Sequence, residues 1–308
     1  MSKNIKDFSD KHLTSIPQSL FQQSDINIVY FDVNDISEIP PQIAQVTNLI
    51  KLSIYKNQIV TIPKELLHIK TLEAINFSAN KLTALPDYLG DATNLKVLDI
   101  QHNQLTALPE SVGKLKKLTF LYLGGNQLQD LPASISQLKK LLYLNLTFNK
   151  FKALPDSIGD LSNLIELRIY DNEMTSLPES LGKLHELKEL HAMNNKLKTL
   201  PESIGQLRKL SKLILEHNKI VFLPEEIGKL TSLTELDLRR NKLKVLPDSI
   251  GGLSSLRFLD LRENDLQSLP ESVGNLRHLE KLDVRLNRFL ELPKSIKELE
   301  ERGCTVFY

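Results

Sequence analysis

The chain has 308 residues with 39 basic and 38 acidic side chains, a formal net charge of +1 at pH 7. That balance lacks the basic footprint of a nucleic-acid binder, and no apolar run reaches the roughly 18 residues that a membrane span needs. One cysteine, Cys304, leaves no internal disulfide to form, and the opening MSKNIKDFSDKH carries no apolar signal core, so a cytoplasmic protein is expected.

Residues 1–25 read as an N-terminal cap and partial repeat with some helix. Leu13, Ile16, Pro17 and Leu20 fall in step with the later units, while Lys11 stands where an asparagine is due. Twelve units of 23 residues then fill 26–300, without gap or insertion. Asparagines keep the 23-residue spacing from Asn34 to Asn287, and prolines keep it from Pro17 to Pro293. The unit over 118–140 shows the pattern in Leu118, Leu121, Leu123, Asn126, Leu128, Leu131, Pro132, Ile135 and Leu138. A fixed period of this size signals a solenoid.

Each position in the unit has a physical job. The L-x-L centre alternates with period two, which predicts a short strand with one buried face. Strands repeating in one register with a return path must be parallel. The asparagine comes just after the strand and can bond to backbone groups of adjacent turns, since its amide both donates and accepts. The proline is expected in the first turn of a return helix. An acidic residue often comes next, as in Pro109-Glu110 and Pro247-Asp248, which suits a helix N-terminus. Ile158 and Leu161, three apart, point inward, and the recurring glycine after the isoleucine is a packing constraint. Ile296 and Leu299 finish the last return helix, Gly303 stops it, and 301–308 reads as a C-terminal capping strand. The expected fold is a single-domain, right-handed α/β solenoid. It is a horseshoe with twelve or thirteen parallel strands on its concave side and short helices outside.

The units resemble the leucine-rich repeat superfamily over about residues 13 to 300. The L-P-x-x-I-G-x-L variant is similar to intracellular Ras-scaffold, plant Ras-group-related, LAP-type and bacterial leucine-rich repeat proteins. The resemblance implies a horseshoe that binds protein ligands on its concave sheet. It also implies a small GTPase or a phosphatase as a conceivable class of partner.

The consensus positions build the core, so function belongs to the variable positions six, four, two and one before each asparagine. In the middle units these hold Phe120, Tyr122, Tyr143, Phe148, Tyr170, His191 and Met193, with Tyr30 and Tyr55 earlier in the same columns. Five of the seven tyrosines lie there. Exposed aromatics of this kind are typical of binding hot spots. Gly124 and Gly125 make either a pocket beside Tyr122 or a weak rung. In later units Asp237, Asp260 and Asp283 share a column, and Arg239, Arg262 and Arg285 share the next, with Arg240 beside them. This predicts a salt-bridge lattice that can also serve as a charged docking strip.

No catalytic constellation is legible. Cys304 has no histidine near it in sequence, and there is neither a P-loop nor a dinucleotide fingerprint. His191 and His217 alone do not make a zinc site. No cofactor or metal is expected, and a monomer is. The expected function is non-catalytic protein recognition, as an intracellular adaptor, scaffold or signalling component. Two alternatives stand beside it. One is an innate-recognition or virulence-type module binding a non-self peptide, glycan or host protein. The other is the regulatory domain of a longer enzyme chain.

Overall fold

The computed structural model describes residues 3–288 and 290–308. Met1 and Ser2, at the start of the expected cap, lie outside the described residues, as does Phe289. The chain divides into two compact units, 1–149 and 150–308.

The first unit holds seven three-residue strands: β1 (Ile5–Asp7), β2 (Ile28–Tyr30), β3 (Lys51–Ser53), β4 (Ala74–Asn76), β5 (Val97–Asp99), β6 (Phe120–Tyr122) and β7 (Tyr143–Asn145). Each pairs in parallel with the next in chain order, in a register of one repeat: Leu52 faces Ile75, Ile75 faces Leu98, and Leu98 faces Leu121. The second unit repeats this with β8 (Glu166–Arg168), β9 (Glu189–His191), β10 (Lys212–Ile214), β11 (Glu235–Asp237), β12 (Phe258–Asp260), β13 (Lys281–Asp283) and β14 (Thr305–Phe307). Among the described residues, seven strands in each unit exceed the expected twelve or thirteen. The extra one is β1, in the segment expected to carry some helix. It forms because the edge of β2 offers backbone groups that need partners: the Phe8 N–H donates to the Tyr30 carbonyl at 2.8 Å, and the Phe8 ring stacks on Phe31 at 5.0 Å.

The central leucine of each strand points into the coil, and the return segment covers it. In one repeat Leu121, Leu123, Leu128, Ile135 and Leu138 are all fully buried. Each such side chain contributes roughly 1.5–3 kcal/mol against exposure, before the entropy of ordering the chain is subtracted.

The asparagine ladder acts as expected. Asn195 donates from Nδ2 to the carbonyls of Ile169 (2.9 Å), Ala192 (3.2 Å) and Met193 (3.1 Å), and its Oδ1 accepts the Met174 N–H at 3.0 Å. Asn103 does the same with Phe77, Ile100, Gln101 and Leu82. One amide thus satisfies buried backbone groups on its own coil and on the coil before it. Any one of these, left unpaired, would cost about 1–3 kcal/mol.

The return path differs from expectation. Most return segments are five-residue 3-10 turns, such as Glu110–Lys114 and Asp156–Asp160. The α-helices are α1 (Lys64–Leu67) and α2 (Ser295–Glu301). At three residues per turn, positions i and i+3 eclipse. Ile158 and Leu161 therefore share one inward line and are both fully buried. The proline does not enter the turn. Pro155 flanks it in extended backbone, φ −69° and ψ 154°, and its carbonyl accepts the Ile158 N–H at 3.0 Å. Gly159 is a packing constraint, since a Cβ there would sit 2.2 Å from the Ser180 carbonyl oxygen of the next coil. At the C-terminus Gly303 takes φ +93° and donates to the Glu300 carbonyl at 2.9 Å, ending α2 before β14.

Candidate functional site

The variable columns flank each buried central strand residue on the open side of the sheet, where most members are exposed or half-buried and a few, such as Asn145, Asp237 and Asp283, are buried. Positions six and four before the asparagine are the first and third strand residues. The position one before it is not a strand residue. There the chain turns with φ between +51° and +69°, as at His102, Gly125, Phe148, His217 and Arg240. Phe148 and Arg240, expected on the strand face, are therefore carried by a left-handed turn. That turn swings the chain out of the sheet so that the next residue, the asparagine, can point inward.

The structure brings three of the expected aromatics together in the first unit. Tyr122 and Tyr143 lie 4.9 Å apart between ring centroids, and Phe120 lies 6.4 Å from each. Phe120 is 37% exposed although it sits on a strand. Tyr55 is exposed on the coil after β3, outside this group, and Tyr30 has the Lys51 ammonium 5.0 Å from its ring. Phe148, half exposed, stands on its turn.

Gly124 lies under a side-chain bridge. The Asn145 amide donates to Gln101 Oε1 at 3.0 Å, joining side chains two repeats apart. The bond passes over Gly124, where a Cβ would meet Thr147 Oγ1 at 2.8 Å and Gln101 Oε1 at 3.2 Å. Beside this bridge, Asp99 accepts on Oδ1 from the Gln101 N–H (3.1 Å) and the Gln101 side-chain amide (3.3 Å). Burial pushes the Asp99 carboxyl above its ordinary range against those hydrogen bonds.

In the second unit Tyr170 and Met193 are half-buried in their column. His191 Nε2 lies 3.0 Å from Glu189 Oε2. Glu166, directly opposite Glu189 in register, is paired by Arg168. Glu166, Glu189 and His191 each place one donor atom within 4.8 Å of the others. This trio went unread in the sequence, although two glutamates in one strand column were its signal. His217, on the turn position, bonds to Asn194 at 2.7 Å and does not join His191.

The aspartate and arginine columns interlock. Arg262 Nη2 holds Asp260 at 2.6 Å, and its Nε lies 3.5 Å from Asp283. Arg285 holds Asp283 at 2.7 Å. Arg239 reaches Glu216 at 2.6 Å and Asp237 at 3.2 Å, while Arg240 pairs with Glu263 at 3.1 Å. Asp283 is fully buried; burial raises its carboxyl, but Arg285 and Arg262 outweigh this and hold it below its ordinary range. Asp237, buried with one less favourable arginine, is pushed up to about 6. Arg262 and Arg285 are thus committed to intramolecular pairs, with part of each guanidinium still at the surface. Cys304 is a buried free thiol whose pKa burial raises, which suits a structural role.

A family model described as leucine-rich repeat region matches residues 83–173 and 156–245, more than half of the chain. The chain belongs to the leucine-rich repeat family. A second leucine-rich repeat model matches 231–289. No curated protein matches the chain. Among solved structures, this leucine-rich repeat chain is similar to a leucine-rich repeat protein of Leptospira interrogans. The identity is 29%, 98% of this chain and 95% of that chain are covered, and the TM-score is 0.65. It is also similar to the plant peptide hormone receptor RGFR1, solved in complex with RGF2. That identity is 27% and the TM-score 0.69, covering 90% of this chain and 56% of the receptor. A TDR receptor is similar at 26% identity and TM-score 0.75, with 95% of this chain and 57% of that chain covered. The chain thus spans little more than half the length of those two receptors. No helix among the described residues is long and apolar enough to cross a membrane. Leucine-rich repeat folds of this kind are typically non-catalytic.

Proposed function

We propose that the protein is a non-catalytic recognition module, an intracellular adaptor or scaffold that docks a protein partner on the open, concave face of its sheet. The observation that carries this reading is the Phe120, Tyr122 and Tyr143 cluster. Three large rings meet at 4.9–6.4 Å on the solvent side of the strands, where the buried leucines make no demand for them. Rigid aromatics of this kind supply contact area at low entropic cost. The repeat coils are fixed by nearest-neighbour packing, so the receptor side loses little freedom on binding. A similar leucine-rich repeat receptor, solved with its peptide ligand, supports recognition as the role.

In this reading Tyr55 and Phe148 add contact surface on the first unit, and Tyr170, His191 and Met193 offer contact surface on the second. Arg239, Arg240, Arg262 and Arg285 offer their exposed guanidinium edges for orientation. The test is an affinity capture from lysate of the source organism, read by mass spectrometry. Wild type is compared with a Tyr122→Ala, Tyr143→Ala, Tyr170→Ala triple variant of equal circular dichroism. A protein retained by wild type and lost by the variant is the expected result. Equal recovery by both would remove the aromatic face from the mechanism.

A further inference from the structure

The repeat supplies its own controls on the flank where each coil enters its return turn. Two residues before the ladder proline the coils carry small or polar side chains, such as Ala107, Ala153, Ser176 and Ser268. Two successive coils depart from this with Phe222 and Val245. Phe222 is 55% exposed, although its neighbour Leu223 turns inward and is buried. The core makes no demand for an aromatic ring there.

The same coil departs from the repeat a second time. From Ser111 to Ser295 the second residue after the ladder proline is serine at every step except Glu226. The backbone N–H of that serine is what a glutamate of the coil before accepts. Glu110 holds Ser134, Glu179 holds Ser203, Glu225 holds Ser249 and Glu271 holds Ser295. Glu202 occupies the equivalent place one coil before Glu226, and meets a like charge where the others meet a serine. Its carboxylate makes no hydrogen bond or ion pair among the described residues. Glu226 turns instead to Lys229, at 3.6 Å.

These two departures open onto one space. Phe222, Glu202 and Glu226 line a groove of about 610 Å³ that crosses three coils of the second unit, with the buried Leu177, Leu200 and Pro201 beside them. Glu179 and Glu225 complete the lining, which holds four carboxylates and, among the described residues, no basic side chain. An exposed ring over apolar side chains offers contact area to a partner. A carboxylate deprived of its repeat donor offers a place for a cation. Neighbouring coils lie about 4.8 Å apart at the sheet, and an extended chain rises about 3.3 Å per residue, so three coils match about three residues of an extended segment.

We propose that this groove docks an extended segment of a partner protein that carries a lysine or arginine beside an apolar side chain. The apolar side chain packs on Phe222, and the cation meets Glu202 and Glu226. None of these residues belongs to the strand columns of the concave-face reading, so the groove stands or falls by itself.

The test is a subtractive selection. A phage-displayed random dodecapeptide library is depleted on Phe222→Ser and then selected on the wild-type protein. Serine is what two other coils carry at this position, and circular dichroism and melting curves check that the variant folds. The surviving peptides are expected to carry a basic residue beside an apolar one and to weaken as salt is raised. They should lose about tenfold or more in affinity on Phe222→Ser and about fivefold on Glu202→Gln. Glu226→Ser restores the repeat serine and gives Glu202 an N–H to accept, so it should weaken the same peptides to a similar degree while melting no lower than wild type. No surviving peptide, or survivors that bind Glu202→Gln and Glu226→Ser as they bind wild type, would overturn the proposal. A wild-type dimer in sedimentation that Phe222→Ser abolishes would also overturn it, by placing a second copy of the chain in the groove.

Discussion

At the residue scale, burial decides what each polar group is worth. The ladder asparagines and the column aspartates are both polar side chains on a leucine scaffold. The asparagines fill their bonding capacity with backbone, whereas Asp237, Asp260 and Asp283 are each met by an arginine. Asp237 shows the consequence. Burial holds its carboxyl up at about 6 in the folded chain, against an ordinary value near ~3.9. The folded state therefore holds this proton more tightly than the unfolded chain does. The resulting stability is fully present below about pH 4 and is lost as pH rises through about 6. A shift of about two units corresponds to about 3 kcal/mol at most. Because Arg239 partly depends on the charge, Asp237→Asn is expected to gain about 1–2 kcal/mol at pH 8 and almost nothing at pH 4. Urea unfolding at the two pH values checks this, and an equal change at both would contradict it. The aspartate column was legible in the sequence. Which of its members an arginine neutralises was also there, in Asp99-x-Gln101 against Asp260-x-Arg262, and the ion-pair distances bear it out at Asp260 and Asp283.

At the element scale, each coil is shaped by its neighbours. The acidic residue after the proline was expected to favour its own turn. Glu271 instead reaches the following coil, where its carboxylate accepts the Ser295 N–H at 3.1 Å and the Lys294 N–H at 3.2 Å. The Ser295 N–H, first among these donors, holds the Glu271 carboxyl below its ordinary range. Glu110 and Glu179 do the same for Ser134 and Ser203. The unfilled N–H groups at the start of these return segments, 3-10 turn or α2, are thus capped by the coil before it. Sequence spacing within one unit cannot display a bond made between units. The glycine of the return turn belongs to the same interlock. With the Ser180 carbonyl oxygen 2.2 Å from the place a Cβ would take, neither backbone can give way cheaply. Gly159→Ala is expected to cost about 3 kcal/mol, at the upper end of overpacking effects. An unfolding midpoint equal to wild type would show that the coils can slide apart at that point.

At the scale of the whole chain, stability is a sum over neighbouring coils. Interior strands of each unit pair on both sides, whereas among the described residues β1 pairs only with β2 and β14 only with β13. Amide hydrogen exchange should therefore be slowest in interior strands such as β4 and β11 and fastest at β1 and β14. Uniform protection along the chain would contradict nearest-neighbour control. The period of 23 residues, the leucines and the asparagines by themselves determined the parallel strands, the inward core and the family. They could do so because each repeat buries the same atoms in the same way, so the pattern is written many times over. The Gln101 to Asn145 bridge over Gly124, the grouping of Phe120 with Tyr122 and Tyr143 and the glutamate caps were decided only by the tertiary structure. Each depends on a distance between side chains of different coils. Such distances are set by strand register, turn geometry and rotamer, none of which a single unit of sequence contains.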